Sequence, residues 1–319
     1  MRIWRALDDV PRDLGRTVVT VGNFDGVHRG HRHVVARVRE VADTLGDLAV
    51  VAVTFDPHPL AVLRPEQAPP LLTGIDERAR LLGEAGVDGV LVVSFDRRVA
   101  RWSAQEFVDR VLVTALRARA VVVGANFRFG SRAAGDVALL TRLGVDRDFS
   151  VAGVELGGRP QVWSSTYVRT CLAAGDVEAA ARALGRPFTV RGVVVEGDHR
   201  GRALGYPTAN VPTSERCATP TDGVYAGWLR RLDEPDGAAL PAAISVGTNP
   251  TFDGRDRRVE SYVLDRDDLE LYGVEVEVAF VAHLRGMVRF GSVDALLEQM
   301  ADDVARSRVL LGQPTPERS

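Results

Sequence analysis

Hydrophobic positions in this chain follow two rhythms, and the change from one to the other falls near residue 186. In the first part, β-branched apolar runs at 17–21, 48–55, 87–95 and 120–123 read as buried strands. Between them the apolar spacing is helical. Val34, Val35, Val38 and Val41 recur at that spacing in a helix opening at Arg29. Further helices are expected at 76–85, at 103–117 behind a Ser103 cap, from Ser164 or Ser165 to Ala174, and at 176–184 before Gly185 and Pro187. The prolines of 64–70 mark a loop. Strands alternating with helices at this spacing predict a right-handed, doubly wound parallel sheet. From Phe188 to about Leu284 the texture changes to short strands with glycine turns, at 189–195, 223–229, 242–246, 259–264 and 274–281. That predicts a small antiparallel β-barrel. A last amphipathic helix, 292–311, carries Val293, Leu296, Leu297, Met300, Val304 and Leu311 on one stripe and is expected to pack on the core. The expected domains are 1–185 and 186–319, with a disordered tail from Gln313.

A chain of 319 residues suits about two domains. No run approaches a membrane span, and the N-terminal residues lack the apolar core of a signal peptide. Cys171 and Cys217 lie far apart with no CxxC pair, so neither a disulfide framework nor a zinc site is suggested, and a cytoplasmic setting is expected. Net charge is −3 with both signs interspersed, which advertises no nucleic-acid surface. All 40 basic residues are arginine. The absence of lysine excludes a Walker A phosphate loop and Schiff-base chemistry. Phosphate charge must be met by arginine, histidine, helix N-termini or a metal.

The residues from Gly22 to His31 (GNFDGVHRGH) form a glycine-punctuated turn between a buried strand and a helix N-terminus. Free backbone N–H groups and the positive dipole end make such a place an anion site. His28 and His31, three apart, project on one side and can donate to phosphate oxygens, while Gly30 leaves the backbone open to a ligand. A second strand end carries Asp56-Pro57-His58-Pro59, where His58 suits a nucleotide or flavin contact and a structural turn equally well. A third opens into Gly124–Gly130, with Phe127 and Phe129 beside Asn126 and Arg128. That set suits a planar polar heterocycle, although an aromatic-rich loop alone is more often packing. Ser165, Thr166 and Arg169 (SSTYVR, 164–169) form a second capped helix start with a permanent charge; alone, this reads as an ordinary cap. In the barrel part, Gly201, Arg202 and Gly205 precede Thr208 and Asn210, whose oxygens are hard donors suited to Mg²⁺. Glu260 follows in a strand, usually a solvated position.

Taken together these motifs resemble one family in its order. GNFDGVHRGH is similar to the HxGH signature of nucleotidyltransferases, and its variant here resembles bacterial bifunctional riboflavin kinase/FMN adenylyltransferases. GANFRFG, SSTYVR, GYPTAN, NPTF and VESY resemble that family's later motifs. The resemblance implies an N-terminal nucleotidyltransferase domain and a C-terminal riboflavin-kinase barrel. ATP would phosphorylate riboflavin to FMN in the barrel, and a second ATP would adenylylate FMN to FAD, releasing pyrophosphate. It implies ATP contacts for Gly22, Phe24, Asp25, His28, Gly30, His31, Ser165, Thr166 and Arg169, and flavin contacts for His58, Asn126, Phe127 and Phe129. It further implies kinase ATP contacts for Gly201, Arg202, Gly205, Thr208 and Asn210, with Thr208 and Asn210 on Mg²⁺ and Glu260 as base. His28, His31 and Arg169 would be the catalytic groups of adenylylation. Partners would be small molecules only, with no nucleic acid and no membrane, and a homo-oligomer is compatible with this reading. The alternatives are a nucleotidyltransferase for another phosphorylated substrate and a non-catalytic flavin sensor.

Overall fold

The computed structural model describes residues 1–155, 163–197, 205–234, 236–251 and 254–313, without the side chains of 249–251 and 254–256. It divides into two compact units, 1–165 and 166–319.

The first unit is a six-stranded parallel sheet in the order β1-β4-β3-β2-β5-β6, made of β1 (Arg2–Trp4), β2 (Thr17–Val21), β3 (Ala49–Asp56), β4 (Gly89–Ser94), β5 (Ala118–Gly124) and β6 (Ser150–Val154). Period-two alternation sends side chains to two cores. Val19, Val21, Val51 and Val53 join one, against α4 (Ala104–Phe107) and α5 (Val137–Asp146). Val18, Val50 and Ala52 join the other, against α1 (Arg29–Thr44) and α3 (Ile75–Glu84). Helices on both faces bear out the doubly wound sheet. Strand order reverses between neighbours β2 and β5, so the Gly22–Gly26 turn and the Gly124–Gly130 loop leave the sheet side by side at its switch point.

Several elements here differ from expectation. Edge strands β1 and β6 are short and only partly apolar, so no strong run marks them. The first turn after His58 is helix α2 (Pro59–Leu63). The segment expected as one helix from Ser103 begins as α4 and continues as a π-helix over Val108–Ala115.

The second unit starts with α6 (Ser165–Ala173, its first residue in the first unit) and α7 (Val177–Leu184). It continues as an antiparallel sheet in the order β7-β12-β9-β10-β11-β8. Its strands are β7 (Phe188–Val193), β8 (Thr208–Thr213), β9 (Gly223–Arg231), β10 (Leu240–Thr251), β11 (Gly254–Val263) and β12 (Glu275–Arg285). A bridge between Val195 and Asn210 nearly closes it into a barrel. Tyr225, Leu229, Ile244, Val246, Val259 and Phe280 are buried. Strand β8 is not among the expected strands: its proline and the glycines before it hide an apolar Ala209-Val211 face. Helices α6 and α7 pack on this barrel, with Thr221 N–H donating to Leu172 O at 2.9 Å. Compactness therefore divides the chain twenty residues before the change of texture at 186.

The final helix, α8 (Val293–Leu310), forms as expected but docks differently. Val293 is exposed, and the buried positions are Asp303, Ser307, Arg308 and Leu311. Asp303 meets Arg285 at 2.7 Å and Arg308 meets Asp265 at 2.8 Å, so much of the docking is ionic. Among the described residues no helix is long and apolar enough to cross a membrane.

Candidate active sites

His28 caps α1, its Nδ1 accepting the His31 backbone N–H at 3.3 Å. A neutral His28 must therefore carry its proton on Nε2, where it can be donated. The two imidazoles stack 3.6 Å apart, and Phe24 meets the His31 ring edge-on at 5.2 Å. His28 is buried and His31 half-buried. Burial, then the neighbouring His28 and Arg78, holds His31 well below the usual imidazole range. His31 thus enters neutral, as a hydrogen-bond donor at a helix N-terminus.

The glycines and Asp25 serve this pair in ways the sequence did not reveal. A Cβ on Gly30 would lie 3.1 Å from the His28 ring and from the Trp163 carbonyl, so Gly30 makes room for protein atoms as well as any ligand. Gly22 is covered by the Phe24 ring in the same manner. The Asp25 carboxylate is fully buried and accepts from Leu72 N–H and Thr73 N–H at 3.1 and 3.0 Å. It faces inward, which makes it an anchor of the turn. Oγ of Ser165, the last residue of the first unit, donates to Asp25 O at 2.8 Å. Thr166 and Arg169 follow in the first turns of α6 and belong to the second unit.

At the neighbouring strand ends, His58 caps α2 by accepting from Leu60 N–H at 3.2 Å, and its Nε2 lies 3.1 Å from the Asn23 amide. Both nitrogens are engaged in the turn. In the Gly124–Gly130 loop, Asn126 is exposed and Phe127 partly so, while Phe129 is buried and packs on Phe107. Phe127 stacks on Phe129 at 5.4 Å. Phe129 is thus core, and Phe127 is the ring it presents. Sequence reasoning missed Arg78, Thr54 and Thr73. The available signal was Arg78 sharing a helix face with buried Leu82, four residues on.

In the barrel, Thr208 and Asn210 alternate on β8, and Glu260 on β11 stands directly opposite Asn210. Ser245 on β10 stands opposite Glu260. Their neighbours Ala209, Val211, Val259 and Ser261 are buried in the barrel core, so the four polar residues share the opposite face, where Asn210 is itself covered. Asn210 Nδ2 donates to Thr208 O at 3.2 Å and to its Oγ1 at 3.4 Å. A Cβ on Gly197 would come within 2.6 Å of that amide, so the glycine admits it. Glu260 lines a cavity of about 470 Å³ with Ser245, Arg258, Met287, Val288 and Arg289 among its walls. Gly205 makes a left-handed turn before β8 (φ 83°). The expected contacts at Gly201 and Arg202 lie outside the described residues. Among the described residues no cluster of three or more histidine, cysteine or acidic side chains could hold a metal.

Known proteins match both parts of the chain. Residues 10–165 match the family described as FAD synthetase, and residues 184–311 match riboflavin kinase. A bifunctional riboflavin kinase/FMN adenylyltransferase from Escherichia coli K12 is 40% identical over 301 residues, 94% of each chain. One from Pseudomonas fluorescens is 40% identical over 314 residues, 97% of this chain and 98% of its own. Among solved structures, a protein described as a macrolide-efflux protein from Streptococcus pneumoniae shares the fold with a TM-score of 0.85, at 31% identity over 96% of this chain and 98% of its own. The chain belongs to the family of bifunctional riboflavin kinases/FMN adenylyltransferases.

Proposed function

We propose that the two activities of this flavin-synthesising transferase divide between the two sites. Riboflavin is phosphorylated by ATP on the outer face of the barrel, and FMN is adenylylated by a second ATP at the switch point of the parallel sheet. The observation that carries the reading is the pairing of Glu260 with Asn210 across β11 and β8, at the edge of a cavity large enough for a planar ligand.

In the barrel, Glu260 accepts the proton of the terminal ribityl hydroxyl as the γ-phosphoryl group transfers. The Thr208 hydroxyl and the Asn210 amide, held together by their own hydrogen bond, offer two neutral hard oxygens and so fit Mg²⁺ delivered with ATP. That ion would neutralise phosphate charge in a chain without lysine. Gly205 meets the nucleotide's phosphates, the role that the family resemblance also gives Gly201 and Arg202.

At the first site FMN needs no protein nucleophile, because its own phosphate oxygen attacks the α-phosphorus. His28 and His31 donate to the reacting phosphate, Gly22, Phe24, Asp25 and Gly30 shape the turn that holds them, and Ser165, Thr166 and Arg169 take the far phosphates. Asn126 and Phe127 meet the flavin, with Phe129 behind Phe127 and His58 closing the edge. We place the catalytic boundary at 185/186 and the enzyme in the cytoplasm.

Incubation with riboflavin, ATP and Mg²⁺, followed by separation of the flavins, tests the scheme. FMN should appear first and FAD second. His31→Ala should stop at FMN, and Glu260→Gln should make FAD only from supplied FMN. Loss of FMN formation in His31→Ala, or failure of Glu260→Gln to convert supplied FMN to FAD, would refute the division.

A further inference from the structure

The turn from Asn23 to His28 contains two non-glycine residues in the left-handed region, Phe24 at φ 49° and the β-branched Val27 at φ 42°. Such backbone persists only where its surroundings over-determine it. We infer that the buried Arg78 is a positioning residue for adenylyl transfer, one that locks this turn between β3 and the Leu72–Thr73 segment; the inference rests on the adenylylation reading of the first unit. Arg78 rises from α3 and is 3% exposed. One of its terminal nitrogens donates to Thr54 Oγ1 at 3.3 Å, and that hydroxyl donates to Asn23 O at 3.0 Å. The other donates to Thr73 O at 3.1 Å and lies 3.5 Å from Asp25 Oδ1. Thr73 Oγ1 in turn accepts from Gly26 N–H at 3.0 Å and donates to Asp25 Oδ1 at 3.2 Å.

One side chain therefore reaches Asn23, Asp25 and Gly26, each directly or through a single threonine. A cation needed only to neutralise Asp25 would touch the carboxylate and nothing else. The fork engages two hydroxyl-bearing neighbours that grip the turn's backbone on either side of the strained Phe24. Because His28 and His31 hang from the end of that turn, a shift in it moves both donors away from the reacting phosphate. Arg78 also contributes, after burial and His28, to keeping His31 neutral. Misplacement of transition-state donors lowers kcat while leaving ground-state binding largely intact.

The test compares Thr54→Val, Arg78→Lys and Arg78→Met in the full chain. Thr54→Val keeps shape and the Arg78–Asp25 pair but cuts the link to Asn23. Its kcat for FMN adenylylation should fall about tenfold, with KM for ATP within about threefold and riboflavin phosphorylation unchanged. Arg78→Lys restores charge without the fork and should stay at least about tenfold low. Arg78→Met should lose the most, and if it does not fold, Thr54→Val carries the test. Full adenylylation in a folded Thr54→Val or Arg78→Lys enzyme overturns the inference. A parent enzyme that makes no FAD overturns the inference together with the reading beneath it.

Discussion

On the proposed reading, the two candidate sites handle the same cosubstrate with different materials. In the first unit the site is a strained turn, a helix N-terminus and two stacked imidazoles, and its carboxylate, Asp25, is turned inward and used as an anchor. On the barrel the site is a flat strand face carrying an outward carboxylate, Glu260, beside a hydroxyl and an amide. The nucleophiles explain the contrast. A phosphate oxygen arrives charged and needs only orientation and charge stabilisation. An alcohol keeps its proton at neutral pH and needs a base within reach.

The contrast breaks most visibly at Glu260. Glu260→Gln should lower kcat for riboflavin phosphorylation by roughly 10²–10⁴ with little change in KM. Conversion of supplied FMN to FAD should continue, and a steady-state assay with each flavin reads both. His31→Ala should do the reverse, lowering FAD formation by about 10²–10³ while FMN formation stays normal. If either variant damages both activities alike, the two chemistries do not separate as described.

Gly197→Ala sharpens the barrel side without touching a reacting group. The new Cβ would meet the Asn210 amide at 2.6 Å and push it off the Thr208 hydroxyl. Mg·ATP use in phosphorylation should weaken roughly tenfold, read as a shift in the magnesium and ATP dependence, with adenylylation unaffected.

The boundary between the sites can be sharpened by truncation. A fragment from 166 keeps α6 and α7 on the barrel, burying Leu172, Val177 and Leu184, and a fragment from 186 exposes that surface. Burial of those side chains is worth about 1.5–3 kcal/mol each as an upper bound. The longer fragment should therefore melt higher, while both phosphorylate riboflavin. Equal melting temperatures would mean that the helices add nothing to the barrel.

The smallest effect is in pH. His31 is held below its ordinary value in the folded state, so the unfolded chain binds the proton first as pH falls. Stability of the first unit should be constant above about pH 6.5 and decline below it, by at most about 1.4 kcal/mol per pH unit. His31→Gln should flatten that decline in urea unfolding between pH 5.5 and 7.5. A parent curve flat over that range would show that His31 is not depressed.

By itself the sequence determined the two architectures and the motifs from which the two candidate sites are built. Periodicity decides which face of a strand or helix is buried, and turn chemistry with capping residues is local, so GNFDGVHRGH and the barrel's strand rhythm were legible. Tertiary structure alone decided what several of those residues face. Asp25 looked like a ligand and is an anchor, because the 72–73 segment that fills its lone pairs is 47 residues away in sequence. Phe129 looked like a flavin contact and is core, because Phe107 packs on it from helix α4. Arg78 drew no reading from the sequence and is buried, because Thr54, Thr73 and Asp25 close over it from three separate segments. The polar docking of α8 escaped for the same reason. A side chain's partner across a fold is fixed by packing among distant segments, and no local pattern encodes it.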